Sequence, residues 1–135
     1  MVIRPAGILL HASWGLFLMF VVSGCGGSGP DSQLSPSAFR DAMRKPRAQL
    51  VDVRTPDEFA TGHLEGAIGL DWAGGILEQR MSELDKELPV LVYCASGRRS
   101  AAAASALRND GFRIVYELEG GISAWRSSGL PVLEP

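Results

Sequence analysis

Cys94 opens the stretch Cys94-Ala95-Ser96-Gly97-Arg98-Arg99-Ser100, which directly follows the β-favouring run Val90-Leu91-Val92-Tyr93. A thiol there can act as a nucleophile only when ionised. The stretch provides for that. Gly97 lets the backbone curl, small Ala95 and Ser96 leave room above the sulfur, and the residues that follow open a helix. The first N–H groups of a helix have no intrahelical partners and, with a curled loop before them, form an anion site. Arg98 and Arg99 add positive charge. All of these favour thiolate, so the sequence predicts a depressed pKa for Cys94.

The other cysteine is Cys25. It follows Arg4 and the apolar run Ile8 to Val22, which is broken by His11 and Ser13. That run is short for a membrane span, which needs about 20 apolar residues. A basic start, a short apolar run and a small-residue exit read as a signal peptide. The exit Val22-Ser23-Gly24-Cys25 resembles a bacterial lipobox. That resemblance implies cleavage after residue 24 and a lipid, including a palmitate chain, on Cys25. It places the protein in the bacterial cell envelope, lipid-anchored and facing the periplasm, with the outer membrane favoured, or facing the cell exterior. Residues 25–33 then read as the lipidated cysteine and a flexible linker, and residues 34–135 as one domain.

Cysteine and histidine counts limit other chemistry. With Cys25 committed, Cys94, His11 and His63 do not supply a zinc site, so no metal is expected. A cysteine protease needs a base near the thiol. His11 lies in the signal and His63 in the Gly62-His63-Leu64 turn, where tying loops by a hydrogen bond is its expected role. Cys94 has no second cysteine nearby for disulfide exchange. The net charge of −2 and the absence of long basic runs argue against nucleic acid as a partner.

The elements that must position Cys94 alternate. Ser35-Pro36 caps a first helix carrying Ala38, Phe39, Ala42 and Met43, and Gln49 to Val53 form a strand. Thr55-Pro56-Asp57-Glu58 repeats the cap-then-proline device for a short helix through Ala60, and Ala67 to Leu70 form a second strand. Ile76 to Leu84 hold a helix, Val90 to Tyr93 a strand buried on both faces, and Gly97 to Asn109 an Ala-rich helix. Phe112 to Leu118 form a further strand and Ile122 to Ser127 a last helix. This alternation indicates an α/β domain with a largely parallel sheet. Asp52 and Arg54 follow a strand end on the Cys94 side, where an ion pair fixing loop geometry is expected; Asp71 and Trp72 fall near the pocket mouth, and Phe59 and Trp125 are expected in the core.

Cys94-Ala95-Ser96-Gly97-Arg98-Arg99-Ser100 resembles the active-site loop of the rhodanese family. Three further stretches match that family in order: Leu50 to Phe59 continuing through Gly62 to Ile68, Leu118 to Trp125, and Gly129-Leu130-Pro131-Val132. The resemblance implies a three-layer fold, a five-stranded parallel sheet flanked by helices. It also implies a sulfurtransferase that moves a sulfane sulfur from a small anion such as thiosulfate to cyanide or a thiol through a Cys94 persulfide, with no cofactor. Cys94 is then the catalytic residue, Ala95, Ser96, Gly97, Arg98, Arg99 and Ser100 bind substrate, and Asp52 and Arg54 support the loop. Two alternatives remain: a non-catalytic sulfur carrier or binding module, and a rhodanese-fold phosphatase or arsenate reductase. Loops of the latter group are one residue longer; here Cys94 and Arg99 are separated by Ala95 to Arg98, and Ser100 stands where the longer loop carries arginine.

Overall fold

The computed structural model describes residues 32–135. The expected signal peptide, Cys25 and the expected linker up to Asp31 lie outside the described residues. Five parallel strands form one sheet: β1 (Gln33–Leu34), β2 (Gln49–Asp52), β3 (Ile68–Gly69), β4 (Val90–Tyr93) and β5 (Val115–Leu118), in the spatial order β1-β5-β4-β2-β3. The helices are α1 (Pro36–Met43), α2 (Pro56–Ala60), α3 (Ile76–Arg80), α4 (Arg98–Asn109) and α5 (Gly121–Ser127).

Strand periodicity builds the two cores. Successive side chains of a strand point to opposite faces. Val51, Val90, Val92 and Cys94 therefore join Leu77, Ala103, Ala104 and Leu107 on the α3–α4 face. Leu50, Leu91 and Tyr93 join Phe39, Ile122 and Trp125 on the α1–α5 face. Every residue of β4 is buried, as its unbroken apolar run predicts, and the register Leu50↔Leu91, Leu91↔Tyr116 holds it between β2 and β5. Ala103 and Ala104, both fully buried, let α4 pack close to the sheet. Cys94 is thus delivered at the carboxyl end of a central strand, where open α/β sheets gather ligands.

Caps set the starts of the first two helices. The Ser35 hydroxyl accepts the Ala38 N–H at 3.3 Å, and Pro36 occupies the first turn of α1. Thr55 forms a full capping box with Glu58 at the start of α2.

The structure corrects several sequence-based expectations. Gln33, placed above at the end of the linker, pairs with Glu117, and Leu34 with Leu118, making the edge strand β1. The helix expected over Ile76 to Leu84 is α3 followed by a separate 3₁₀ turn over Met81–Glu83. The strand expected from Phe112 begins at Val115, because Phe112 is held in a turn by donating its N–H to the Leu107 carbonyl at 3.1 Å. Trp125 is in the core, but Phe59 is only half-buried and stacks on His63 at 3.9 Å between ring centroids.

Candidate active site

The Cys94 loop is shaped from three sides. From within, the Gly97 N–H donates to Cys94 Sγ at 3.1 Å. Gly97 has φ of +105°, a conformation that a side chain would strain, and it is this turn that brings its N–H back onto the sulfur. From the side, the N–H groups of Ile122 and Ser123 in the first turn of α5 donate to the Cys94 and Ala95 carbonyls at 2.9 and 3.1 Å. In a trans peptide the N–H points opposite to the C=O. Tying these two carbonyls outward to α5 therefore turns the N–H groups of Ala95 and Ser96 towards the inside of the loop.

From below, Ser100 is fully buried under the sulfur. In the thiol state Cys94 S–H donates to Ser100 Oγ at 3.5 Å, and the Ser100 hydroxyl donates to the Gly97 carbonyl at 3.1 Å. When the sulfur ionises, the Ser100 hydroxyl can turn to donate to it. Burial pushes the Cys94 pKa up, but hydrogen bonds from the Ser100 hydroxyl and from the N–H groups of Ser100, Gly97 and Ser96 outweigh it. The net shift is down.

The two arginines differ. Arg98 is exposed, whereas Arg99 turns away from solvent into a two-pronged ion pair with Glu58, at 2.7 and 2.8 Å. Arg99 therefore adds its positive charge to the loop as one half of an ion pair. Glu58 Oε2 also accepts the Thr55 N–H and hydroxyl, each at 3.0 Å. The Arg99 hydrogen bonds, reinforced by those from Thr55, hold the Glu58 carboxyl down at about 2. Glu58 was not singled out from the sequence; its capping-box spacing from Thr55 was the available signal.

Asp52 and Arg54 form the ion pair expected of them. Arg54 Nη2 reaches Asp52 Oδ2 at 2.7 Å and also donates to the Gly62 carbonyl at 2.7 Å. Both side chains are buried, so they brace the turn after β2 and do not face the loop mouth as free charges. Burial lowers the Arg54 pKa, but the Asp52 carboxylate more than offsets this and keeps the guanidinium firmly charged. His63 anchors the far end of the same turn. Its ring nitrogen Nδ1 lies 3.1 Å from the Phe59 carbonyl and its backbone bridges to Leu133.

Beside the loop is a cleft of about 250 Å³ bordered by Arg54, Pro56, Phe59, Gly69, Asp71 and Ile76. Ile76 packs against the same apolar cluster as Cys94, and Arg99 lies within electrostatic reach of both Cys94 and Asp71. The arrangement offers a thiolate in a ring of donors with an adjoining cleft. That suits a covalent intermediate on sulfur formed by attack on a small anion.

The rhodanese-like domain family matches residues 35–128, and the chain belongs to that family. A sulfurtransferase of Allochromatium vinosum is 43% identical over 86 residues, spanning 64% of this chain and 78% of the relative. The thiosulfate sulfurtransferase GlpE of Stutzerimonas stutzeri is 38% identical over 96 residues, spanning 71% of this chain and 86% of the relative. Among solved structures, the polysulfide-sulfur transferase homodimer of Wolinella succinogenes superposes with a TM-score of 0.66 at 35% identity, covering 76% of this chain and 78% of that one. The five-stranded parallel sheet and its flanking helices are thus the rhodanese-like α/β fold.

Proposed function

We propose that this protein is a sulfurtransferase in which Cys94 carries the sulfur. The observation that carries the reading is the Gly97 N–H at 3.1 Å from Cys94 Sγ, in a loop that holds the thiol pKa down without a neighbouring base. The Cys94 thiolate attacks the outer sulfur of thiosulfate. A new S–S bond forms, the old one breaks with its electron pair leaving on sulfite, and a Cys94 persulfide remains. Cyanide or a thiolate then takes the outer sulfur and returns Cys94 as thiolate. Two half-reactions sharing one covalent intermediate give ping-pong kinetics. Ala95, Ser96 and Gly97 supply N–H groups to the anion, Ser100 supports the sulfur from beneath, and exposed Arg98 attracts the donor.

Ser100 stands where a phosphatase or arsenate reductase carries the arginine that forks a tetrahedral oxyanion, and the adjacent Arg99 is committed to Glu58; both weigh against that reading. Mass spectrometry after thiosulfate treatment should find one added sulfur on Cys94. Cys94→Ser should carry none and release no sulfite. A Cys94→Ser protein that kept full activity would overturn the reading. Stoichiometric loading without repeated turnover would assign the chain to sulfur carriage.

We also propose that Cys25 bears a lipid and that the domain works at the envelope membrane. The carrying feature is the small-residue exit Val22-Ser23-Gly24-Cys25 after a short apolar run. Labelled palmitate should enter the wild-type protein, and Cys25→Ala should abolish the labelling and release the domain from membranes.

A further inference from the structure

The cleft beside Cys94 holds a carboxylate with an orphaned oxygen. Of its bordering residues, Arg54 is spent on Asp52 and the Gly62 carbonyl. Asp71 is different: its Oδ1 is buried and accepts no hydrogen bond among the described residues. The main chain fixes it there, because the Asp71 carbonyl accepts the N–H groups of Ile76 and Leu77 at 2.9 and 3.2 Å. Gly74 leaves room for the carboxylate, since a Cβ at that position would stand 2.6 Å from Asp71 Oδ2. Arg99, which lies within electrostatic reach of Asp71, is held in a close pair by Glu58. Buried polar atoms in folded proteins nearly always have a partner, and this one has none among the described residues.

The remaining walls are apolar: Pro56, Phe59 and Ile76. A cleft with an apolar lining and one carboxylate that makes no close ion pair among the described residues suits a short organic cation. It repels a dianion such as thiosulfate, which belongs to the N–H ring of the loop. Donor and acceptor are thereby drawn to adjoining but different places.

We propose that this cleft seats the sulfur acceptor and that Asp71 selects, among thiols, those bearing an ammonium group. The inference rests on the persulfide reading above. In the step concerned, the acceptor thiol loses its proton to solvent and its thiolate attacks the outer sulfur of the Cys94 persulfide. The bond from Cys94 Sγ to that sulfur breaks, its electron pair stays on Cys94, and the acceptor leaves as a persulfide. Asp71 takes no part in the bond changes; it holds the amine and so places the acceptor sulfur.

The test uses the full domain loaded with thiosulfate, with loading verified by mass before any acceptor is added. Transfer to cysteamine, mercaptoethanol and mercaptoacetate, which are cationic, neutral and anionic thiols of similar size, is then timed for wild type and Asp71→Asn. Comparing ratios between the two proteins cancels intrinsic thiol reactivity and any general loss of activity. The cysteamine-to-mercaptoethanol ratio of kcat/KM should fall about fivefold in Asp71→Asn, the scale of one partly exposed ion pair. The mercaptoacetate-to-mercaptoethanol ratio should rise. In wild type, added salt should erode the cysteamine preference and leave mercaptoethanol little changed. Equal ratios in the two proteins, or a salt-independent preference, would overturn the assignment of Asp71. An absence of added sulfur on Cys94 at the loading stage would instead overturn the sulfur-transfer reading, and this inference with it.

Discussion

Glu58 grips Arg99 with two parallel hydrogen bonds across 41 residues of sequence, joining the start of α2 to the first turn of the helix that follows Cys94. The pair is partly exposed, so its contribution to stability is about 1 kcal/mol. Its larger effect is positional, because it keeps a guanidinium from folding over the sulfur. Glu58→Gln retains a side chain able to cap α2 but removes the charge. The folded-state carboxyl sits at about 2, below its ordinary range. Its contribution is therefore complete above about pH 5 and disappears as pH falls towards 2. Urea midpoints of wild type and Glu58→Gln should differ at neutral pH and converge in acid. A gap that stayed constant down to pH 2 would rule out the ion pair as its source.

Ser100 lies beneath the sulfur, accepts from the thiol, and can turn to donate to it once the sulfur is ionised. Ser100→Ala should raise the Cys94 pKa and slow thiosulfate loading at neutral pH by about tenfold, the worth of one hydrogen bond to a charged group. Alkylation by iodoacetamide as a function of pH reads this directly: the midpoint should move up in the variant. The folded-state thiol has the lower pKa, so the wild-type domain gains stability as pH rises through the interval up to the unfolded thiol's value, and that gain should shrink in Ser100→Ala. An unchanged alkylation midpoint would remove Ser100 from the account.

Asp52 and Arg54 are a buried pair, and removing one member strands the other. Asp52→Ala should cost about 3–5 kcal/mol by urea denaturation, because the Arg54 guanidinium is left buried beside Tyr93, 5.8 Å from its ring centre. A double variant, Asp52→Leu with Arg54→Met, should cost clearly less than Asp52→Ala alone. Equal losses would show that the lost Arg54–Gly62 contact, and not the stranded charge, dominates.

These residues also show what the sequence makes legible. The Cys94 loop could be read because everything that makes it is local: an apolar strand, a glycine that permits φ of +105°, and the first turn of α4. The Asp52–Arg54 pair was legible for the same reason, two residues apart at a strand end. The Arg99 partner was not, since the capping-box spacing marks Glu58 as a partner of Thr55 and says nothing of Arg99, 41 residues away, which only the tertiary fold brings to it. β1 was missed because two residues carry no periodicity; Gln33 and Leu34 are a strand only through pairing with β5. Phe59 was expected in the core on its aromatic character, yet it serves as a wall of the cleft and a stacking partner of His63.

Gly121 and Gly129 offer a controlled comparison of backbone strain with and without contact on the active-site loop. Both have positive φ, +61° and +73°. An alanine at either pays about 1–2 kcal/mol for the left-handed conformation. At Gly129 there is nothing within 4 Å of the added Cβ, so that cost should be the whole effect. At Gly121 the Cβ would stand 2.5 Å from the carbonyl oxygens of both Cys94 and Ala95, the two groups that α5 holds in place. Those carbonyls must move, and their movement rotates the N–H groups of Ala95 and Ser96 out of the loop. Gly129→Ala should therefore lower the urea midpoint modestly and load thiosulfate at close to the wild-type rate. Gly121→Ala should lose more stability and at least tenfold in loading, the scale of one lost oxyanion donor or less. Its Cys94 alkylation midpoint should also rise, because donors to the thiolate have turned away. If Gly121→Ala lost stability while keeping its loading rate and alkylation midpoint, the hold of α5 on the Cys94 and Ala95 carbonyls would have no part in forming the thiolate.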